Sequence, residues 1–189
     1  MSAQDHLEPN INIFEQYHYQ YEYYSQIRNL LFDGLSDRPM AQLVILPSFS
    51  NEFVWQIQED RNNNIYYSIT STGNHSIWYN QYEDKPKKLK QIISRNEITK
   101  ETAVLIKELY LAAVNTVRHS NNRLGVDGTT YYFSAFDLGL KSGTIWSPSE
   151  GTKMRELVEI SMQLISQTQK KSEISPDLLE CLNKLKSEL

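Results

Sequence analysis

The side chains best suited to acid–base chemistry in this 189-residue chain are His119 and Asp127, which lie close in sequence. A histidine can take up a proton near neutral pH and an aspartate can orient it. The pair would suit a small hydrolase-type site beside the turn from Gly125 to Gly128. In the competing reading His119 closes a helix, where the dipole favours an imidazolium. A nucleophile is harder to find: Ser147 stands between Trp146 and Pro148, outside any Gly-x-Ser-x-Gly elbow, and reads as a turn or helix-entry residue. The four histidines, His6, His18, His75 and His119, are scattered without a His-Glu-x-x-His spacing, so no metal set is expected. Asp127-Gly128 lacks the further oxygen ligands of a calcium loop. Gly125 and Gly128 lie too far from a strand-to-helix junction to cradle a phosphate. The sequence is therefore read as non-enzymatic and without a cofactor, with His119 and Asp127 as the alternative catalytic pair.

The elements that must position these residues are legible from hydrophobic period and punctuation. Five of the seven glycines fall between residues 125 and 151, where the backbone is expected to turn tightly around a β-hairpin. Its first strand alternates Tyr131, Phe133 and Ala135 with Tyr132, Ser134 and Phe136, and its second carries Ile145 and Trp146. Upstream, a helix is expected from residue 13 or 20 to 33, stopped at Gly34. The apolar run from Ala41 to Leu46, ended by Pro47, predicts a buried strand. Alternation then predicts strands at 53–58, 65–71 and 75–82, with a fifth around 89–95.

At Thr99 the period changes from 2 to 3.6. Thr99 caps an amphipathic helix whose apolar face runs from Ala103 to Val117. A second long helix is expected over 152–167. A short one follows a Ser175 cap, with Pro176 in its first turn and Leu178, Leu182 and Leu185 on its buried face. The fold class is α+β: an antiparallel meander of about five strands plus the hairpin, packed by helices on one face. Residues 1–12 are expected to fray, 13–168 to form a single domain, and 169–189 to be a polar linker and a helix able to swing.

Charge and composition narrow the partner. The net charge of −4 and a pI near 5.6 lack the basic footprint that phosphate-backbone binding needs, so nucleic acid is not expected as a partner. The local run Lys85, Lys87, Lys88, Lys90 and Arg95 interleaves with Leu89, Ile92 and Ile93, as on a strand or edge with one solvated face. The only cysteine, Cys181, sits among leucines at helical spacing and reads as a core or interface thiol. No run reaches the ~18 apolar residues of a membrane span, and the start has no leader pattern. As written the chain reads as cytoplasmic, or as periplasmic if a leader has been removed. Twelve tyrosines and three tryptophans are the unusual feature, suited to half-buried strands and to wet binding surfaces alike. Ser76-Ile77-Trp78-Tyr79, read as a strand, is apolar on both faces and predicts cover by another element or a partner.

The segment Gly125-Val-Asp-Gly-Thr-Thr-Tyr-Tyr-Phe133 with Gly143-x-x-Trp146-Ser-Pro148 and Gly151-Thr152 resembles one found in small bacterial proteins of uncharacterised function. Ala41 to Phe49, with Pro47-Ser48-Phe49, is similar as well, and the likeness spans roughly residues 21–168. In style, a small acidic α+β chain also resembles the immunity proteins of interbacterial toxin systems such as type VI secretion. That resemblance implies a protein that occludes a basic toxin or effector by shape and charge and performs no reaction. Trp78, Tyr79 and Tyr82 would be the aromatic anchor, and Glu59, Asp60, Glu83 and Asp84 the acidic rim. An envelope-associated structural protein is the remaining alternative.

Overall fold

The structure is a computed structural model that describes residues 4–10, 20–119 and 127–189. The expected helix start at residue 13, His18, and the Gly125 end of the hairpin turn lie outside the described residues. The elements, in chain order, are β1 (Glu8–Pro9), α1 (Tyr21–Leu31), β2 (Ala41–Pro47), β3 (Phe53–Asp60), β4 (Ile65–Gly73), α2 (Ile77–Asn80), β5 (Gln91–Ile98), α3 (Lys100–Asn115), β6 (Thr129–Phe136), β7 (Leu140–Trp146), α4 (Lys153–Lys170) and α5 (Pro176–Glu188). The fold is α+β, as expected, but the hairpin is no separate unit. All seven described strands form one antiparallel sheet in the order β1-β7-β6-β2-β3-β4-β5. The meander therefore has four strands, β2 to β5, and the β6–β7 hairpin joins it by pairing β6 with β2.

Local chemistry sets the long helices. Thr99, Thr152 and Ser175 each accept a hydrogen bond from the backbone N–H three residues on, at Thr102, Arg155 and Leu178. Each satisfies one of the N–H groups a helix start leaves orphaned.

Helices lie on both faces of the sheet, not on one. Leu43, Trp55, Ile57, Phe133 and Ile145 point to the side where α3, α4 and α5 bury Ile106, Tyr110, Leu157 and Leu182. Val44, Val54 and Tyr132, one residue out of phase with the first set, point to the side where α1 buries Tyr23, Ile27 and Leu31 and α2 buries Ile77. That parity follows from the alternation of side chains along a strand. The larger core is pinned by polar pairs: Trp55 Nε1 donates to Ser68 Oγ at 2.8 Å, and Ser68 Oγ lies 2.5 Å from Thr168 Oγ1 of α4. Such a satisfied buried network fixes how α4 sits on the sheet.

Residues 75–82 do not form the expected strand. Ile77 to Asn80 is one helical turn, with Ser76 Oγ accepting from Tyr79 N at 3.3 Å. Ile77 and Asn80 are buried while Tyr79 between them is exposed, a three-residue spacing that belongs to a helix and mimics alternation over so short a run.

The described segments nearest the two ends are packed on the fold. Leu7 is fully buried between Val117 and Gly143, and Glu8 and Pro9 pair with Thr144 and Gly143 of β7. A side chain at position 143 would come within 2.8 Å of Leu7 Cβ and 2.5 Å of Val117 Cγ2, so only glycine admits this packing. The linker does not leave α5 free: Leu178, Leu182 and Leu185 belong to the larger core, and Asn96 Nδ2 donates to Ser172 O at 2.8 Å. Cys181, one position off that leucine stripe, is exposed rather than a core thiol. Leu7→Ala should cost about 2–5 kcal/mol in urea unfolding, as for other fully buried leucines. A loss below ~0.5 kcal/mol would mean that the N-terminal segment is not docked.

Candidate functional site

The two segments that carry the resemblance meet at one end of the sheet. Antiparallel pairing sets Pro47 of β2 opposite Thr129 of β6, and Thr130 opposite Trp146 of β7. The strand ends are clamped by two serines. Ser48 N and Oγ both donate to Gly128 O, at 2.9 and 2.8 Å, and Gly128 N donates back to Ser48 Oγ at 3.1 Å. Ser147 N donates to Thr129 O at 2.9 Å and its Oγ accepts from Thr129 N at 2.9 Å. Ser147 adopts a left-handed φ of 38°, an uncommon conformation outside glycine that a short polar side chain bonding its neighbour can stabilise. Its hydroxyl oxygen is thus an acceptor within the turn. Gly128 is required by close approach, because a Cβ there would lie 2.7 Å from the Trp146 ring and 2.4 Å from Ser147 Oγ.

Over this clamped end lies a hollow of about 400 Å³ walled by aromatic rings: Tyr23 and Tyr24 of α1, Phe49 after β2, Trp78 and Tyr79 of α2, and Trp146. What holds α2 in place is Glu52, just before β3. Its side chain is fully buried, and its carboxylate accepts from Ile77 N at 2.8 Å and Trp78 N at 2.9 Å, with Ser76 Oγ at 3.4 Å. A carboxylate receiving two backbone N–H groups at the start of a helical turn is a charge-assisted cap. Tyr23 joins it from the other side. Burial, then the Glu52 charge and a side-chain hydrogen bond to Glu52, push the Tyr23 phenol far above its ordinary pKa, so it stays a neutral donor.

From this buried carboxylate an aromatic row leads outward. Trp78 stands edge-on to Tyr23, with ring centroids 5.1 Å apart, and Tyr82 packs on Trp78 at 5.2 Å. These are the separations at which ring quadrupoles attract. The row ends in solvent, where Phe49, Tyr79 and Tyr82 are 71%, 43% and 66% exposed. Tyr79 is not loose, since its hydroxyl donates to Ser48 O at 2.8 Å. Nor is the loop beyond: Asn80 accepts from Lys87 N at 2.8 Å and donates to Lys87 O at 3.1 Å. We call this rigid surface the aromatic ledge.

Of the expected anchor and rim, the structure unites only part. Trp78, Tyr79 and Tyr82 belong to the ledge, and Glu83 and Asp84 follow Tyr82 in the chain, with Glu83 3.6 Å from Lys87. Glu59 and Asp60 are not: the ledge adjoins the Phe53 end of β3 and they occupy its other end, six and seven residues or roughly 20–23 Å away. Both are also engaged locally. Glu59 accepts from Tyr66 OH at 3.1 Å, and Asp60 accepts from Asn62 N and Asn63 Nδ2 at 3.1 and 2.9 Å. The alternative catalytic pair is not assembled either. Asp127 is exposed at the lip of the hollow, on the α1 side. His119 lies exposed beyond the end of α3, two residues after Val117, which packs on the opposite side of the sheet. No hydrogen bond or ion pair joins them among the described residues. No group of three or more metal-ligating side chains occurs among those residues, and no described helix is long and apolar enough to cross a membrane.

Sequence reasoning missed Glu52 and Phe49. Glu52 looks like a turn residue, and its partners lie some 25 residues away. The available signal was Ser76 as a cap followed by apolar Ile77, which marks a helical turn that some acceptor must complete. Compared with protein-family models, curated proteins and solved structures, the chain matches none, so the functional reading rests on this geometry.

Glu52→Ala should lower unfolding free energy by about 2–5 kcal/mol, because the buried Ile77 N–H and the part-buried Trp78 N–H lose their acceptor. A loss under ~1 kcal/mol would show the cap to be dispensable. A pH effect should follow from Tyr23, Tyr110 and Tyr132, whose pKa values burial raises in the folded chain. Below about pH 10 folded and unfolded chains both keep these protons and the stabilisation is complete. Above it the unfolded chain releases protons that the fold retains, so stability falls as pH rises. The urea midpoint should drop between about pH 9 and pH 11, less steeply in Tyr110→Phe. An unchanged midpoint would contradict the buried, neutral tyrosines.

Proposed function

We propose that this protein is a non-enzymatic binding module that docks a protein partner on the aromatic ledge, and that it acts as an immunity protein occluding a bacterial toxin or effector. The observation that carries the reading is the exposure of Phe49, Tyr79 and Tyr82 beside Trp78 on a base fixed by a buried carboxylate. Aromatic side chains held in place before binding give large contact area at little entropic cost, which is the make-up of binding hot spots. Asp127 at the lip of the hollow, with Glu83 and Asp84 directly after Tyr82 in the chain, would supply the acidic rim for a basic partner, which steers association more than it adds affinity. Glu59 and Asp60 take no part in this surface. The engagement of Ser147 in its turn, and the separation of His119 from Asp127, favour binding over hydrolysis.

The test is affinity capture from the source bacterium at low and high salt. One stoichiometric basic partner is expected, lost from Tyr79→Ala/Tyr82→Ala and weakened at low salt by Glu83→Lys/Asp84→Lys. Removal of both rings should cost about 2–4 kcal/mol of binding, roughly 30- to 1,000-fold. Co-expression with the captured partner should restore growth if that partner is toxic. A partner retained in full by the double alanine variant would overturn the ledge as the docking surface, and retained function without any partner would overturn the binding reading. His119→Ala/Asp127→Ala should leave capture unchanged.

A further inference from the structure

A second hollow, of about 340 Å³, lies on the α1 side of the sheet toward the other end of β2 and β6. Gln42 and Ser134 line it, where Leu46 and Thr130 of the same strands line the hollow under the ledge. Strand register assembles its floor. Gln42 stands opposite Ser134, and Ser134 opposite Ser142 of β7, so the three form a polar row across neighbouring strands ~4.8 Å apart. They share the face of Val44 and Tyr132, because side chains two apart on a strand point the same way. Phe32 after α1, with Val44, Tyr132 and Leu140, supplies apolar walls.

Gln42 and Ser134 are only 8% and 6% exposed, and polar groups so withdrawn from water are normally satisfied. Ser134 Oγ donates to Gln42 Oε1 at 3.3 Å. No hydrogen bond among the described residues uses Gln42 Nε2. Gln56, next in the same row, behaves differently: its amide accepts from Ser36 N at 3.1 Å and donates to Ser36 O at 2.9 Å. Gln56 therefore secures the loop, while Gln42 keeps the donors of its NH₂ group for the hollow. An acceptor is present as well. Asn10, directly after the Pro9–Gly143 pair, lines the same hollow, and its Oδ1 is buried without a partner among the described residues.

The polar groups of the floor are neutral, and the nearest charges, Arg28 and Asp37, are exposed and of opposite sign. A charged ligand would lose its hydration here without a counter-charge. Apolar walls with a few placed polar groups, at the small end of ligand-site volumes, suit a compact neutral molecule.

We propose that this hollow binds a small uncharged aromatic amide, whose carbonyl oxygen accepts from Gln42 Nε2 and whose ring lies among Phe32, Tyr132 and Leu140. Asn10 Oδ1 favours a ligand that carries a donor besides. The site does not depend on the aromatic ledge.

The experiment is NMR titration of the isotope-labelled full chain with benzamide and nicotinamide, and with benzoate and nicotinate as charged comparators of the same shape. Saturable shifts at the Gln42 side-chain amide, Ser134 and Ser142 are expected for both amides. Their Kd should be in the millimolar range, as suits ligands of about nine heavy atoms, and the carboxylates should bind at least roughly tenfold more weakly. Gln42→Met keeps the length and removes the donor, and should weaken binding several-fold. Leu140→Trp enlarges a wall residue that is 57% exposed and should block the hollow; it carries the test if Gln42→Met fails to fold. Tyr79→Ala/Tyr82→Ala should leave amide binding unchanged. No saturable shift with either amide, carboxylates that bind as tightly, or full binding by folded Gln42→Met or Leu140→Trp would each overturn the proposal.

Discussion

A single carboxylate, that of Glu52, is the constraint on which the exposed half of this molecule depends. An ionisable side chain is rarely withdrawn fully from water unless its charge is answered by donors. Here the donors are the first backbone N–H groups of α2, the Ser76 hydroxyl and the Tyr23 phenol. A helix of four residues would not persist on propensity alone, because nucleation costs more than so few hydrogen bonds return. The carboxylate makes the turn tenable. The turn in turn sets Trp78 against Tyr23 and aims Tyr79 and Tyr82 outward.

Around that point the sheet acts as a plate with distinct work on its two faces and two ends. The α3–α4–α5 face carries the larger core, where Trp55, Tyr110 and Phe133 are fully buried and most of the hydrophobic stabilisation resides. The α1–α2 face is thinner and bears the aromatic row. At one end serine–backbone clamps hold β2, β6 and β7 together under the ledge. At the other the Gln56 amide holds the loop that carries Arg38, whose guanidinium lies over the Phe136 ring. Each exposed surface is thus supported by a buried polar group that is itself satisfied, the arrangement that keeps a surface rigid before a ligand arrives.

Features governed by neighbours in sequence could be read from the sequence. Thr99, Thr152 and Ser175 announce helix starts because a cap bonds three residues ahead, and β2, β3 and β4 announce themselves by alternation or continuous apolar runs. Features governed by distant partners could not. Ile77 to Asn80 reads as alternation because the acceptor that makes it helical is Glu52, two strands and their turn away. Helices on the second face follow from Ala41 to Ile45, where five consecutive buried residues require cover on both sides. Of the candidate site, the aromatics at 78, 79 and 82 and the acids at 83 and 84 were legible as one local cluster. Glu59 and Asp60 were joined to them by charge alone, and the length of β3 separates them.

The account turns on whether Glu52 organises the ledge, and amide hydrogen exchange on Glu52→Gln reads this most directly. Its side chain keeps the size of the original but turns one acceptor oxygen into a donor facing backbone N–H groups. The account predicts that exchange at Ile77, Trp78 and the residues through Asp84 speeds up markedly while β3, β4 and α3 keep their protection. Unchanged exchange at Ile77 and Trp78 would contradict it.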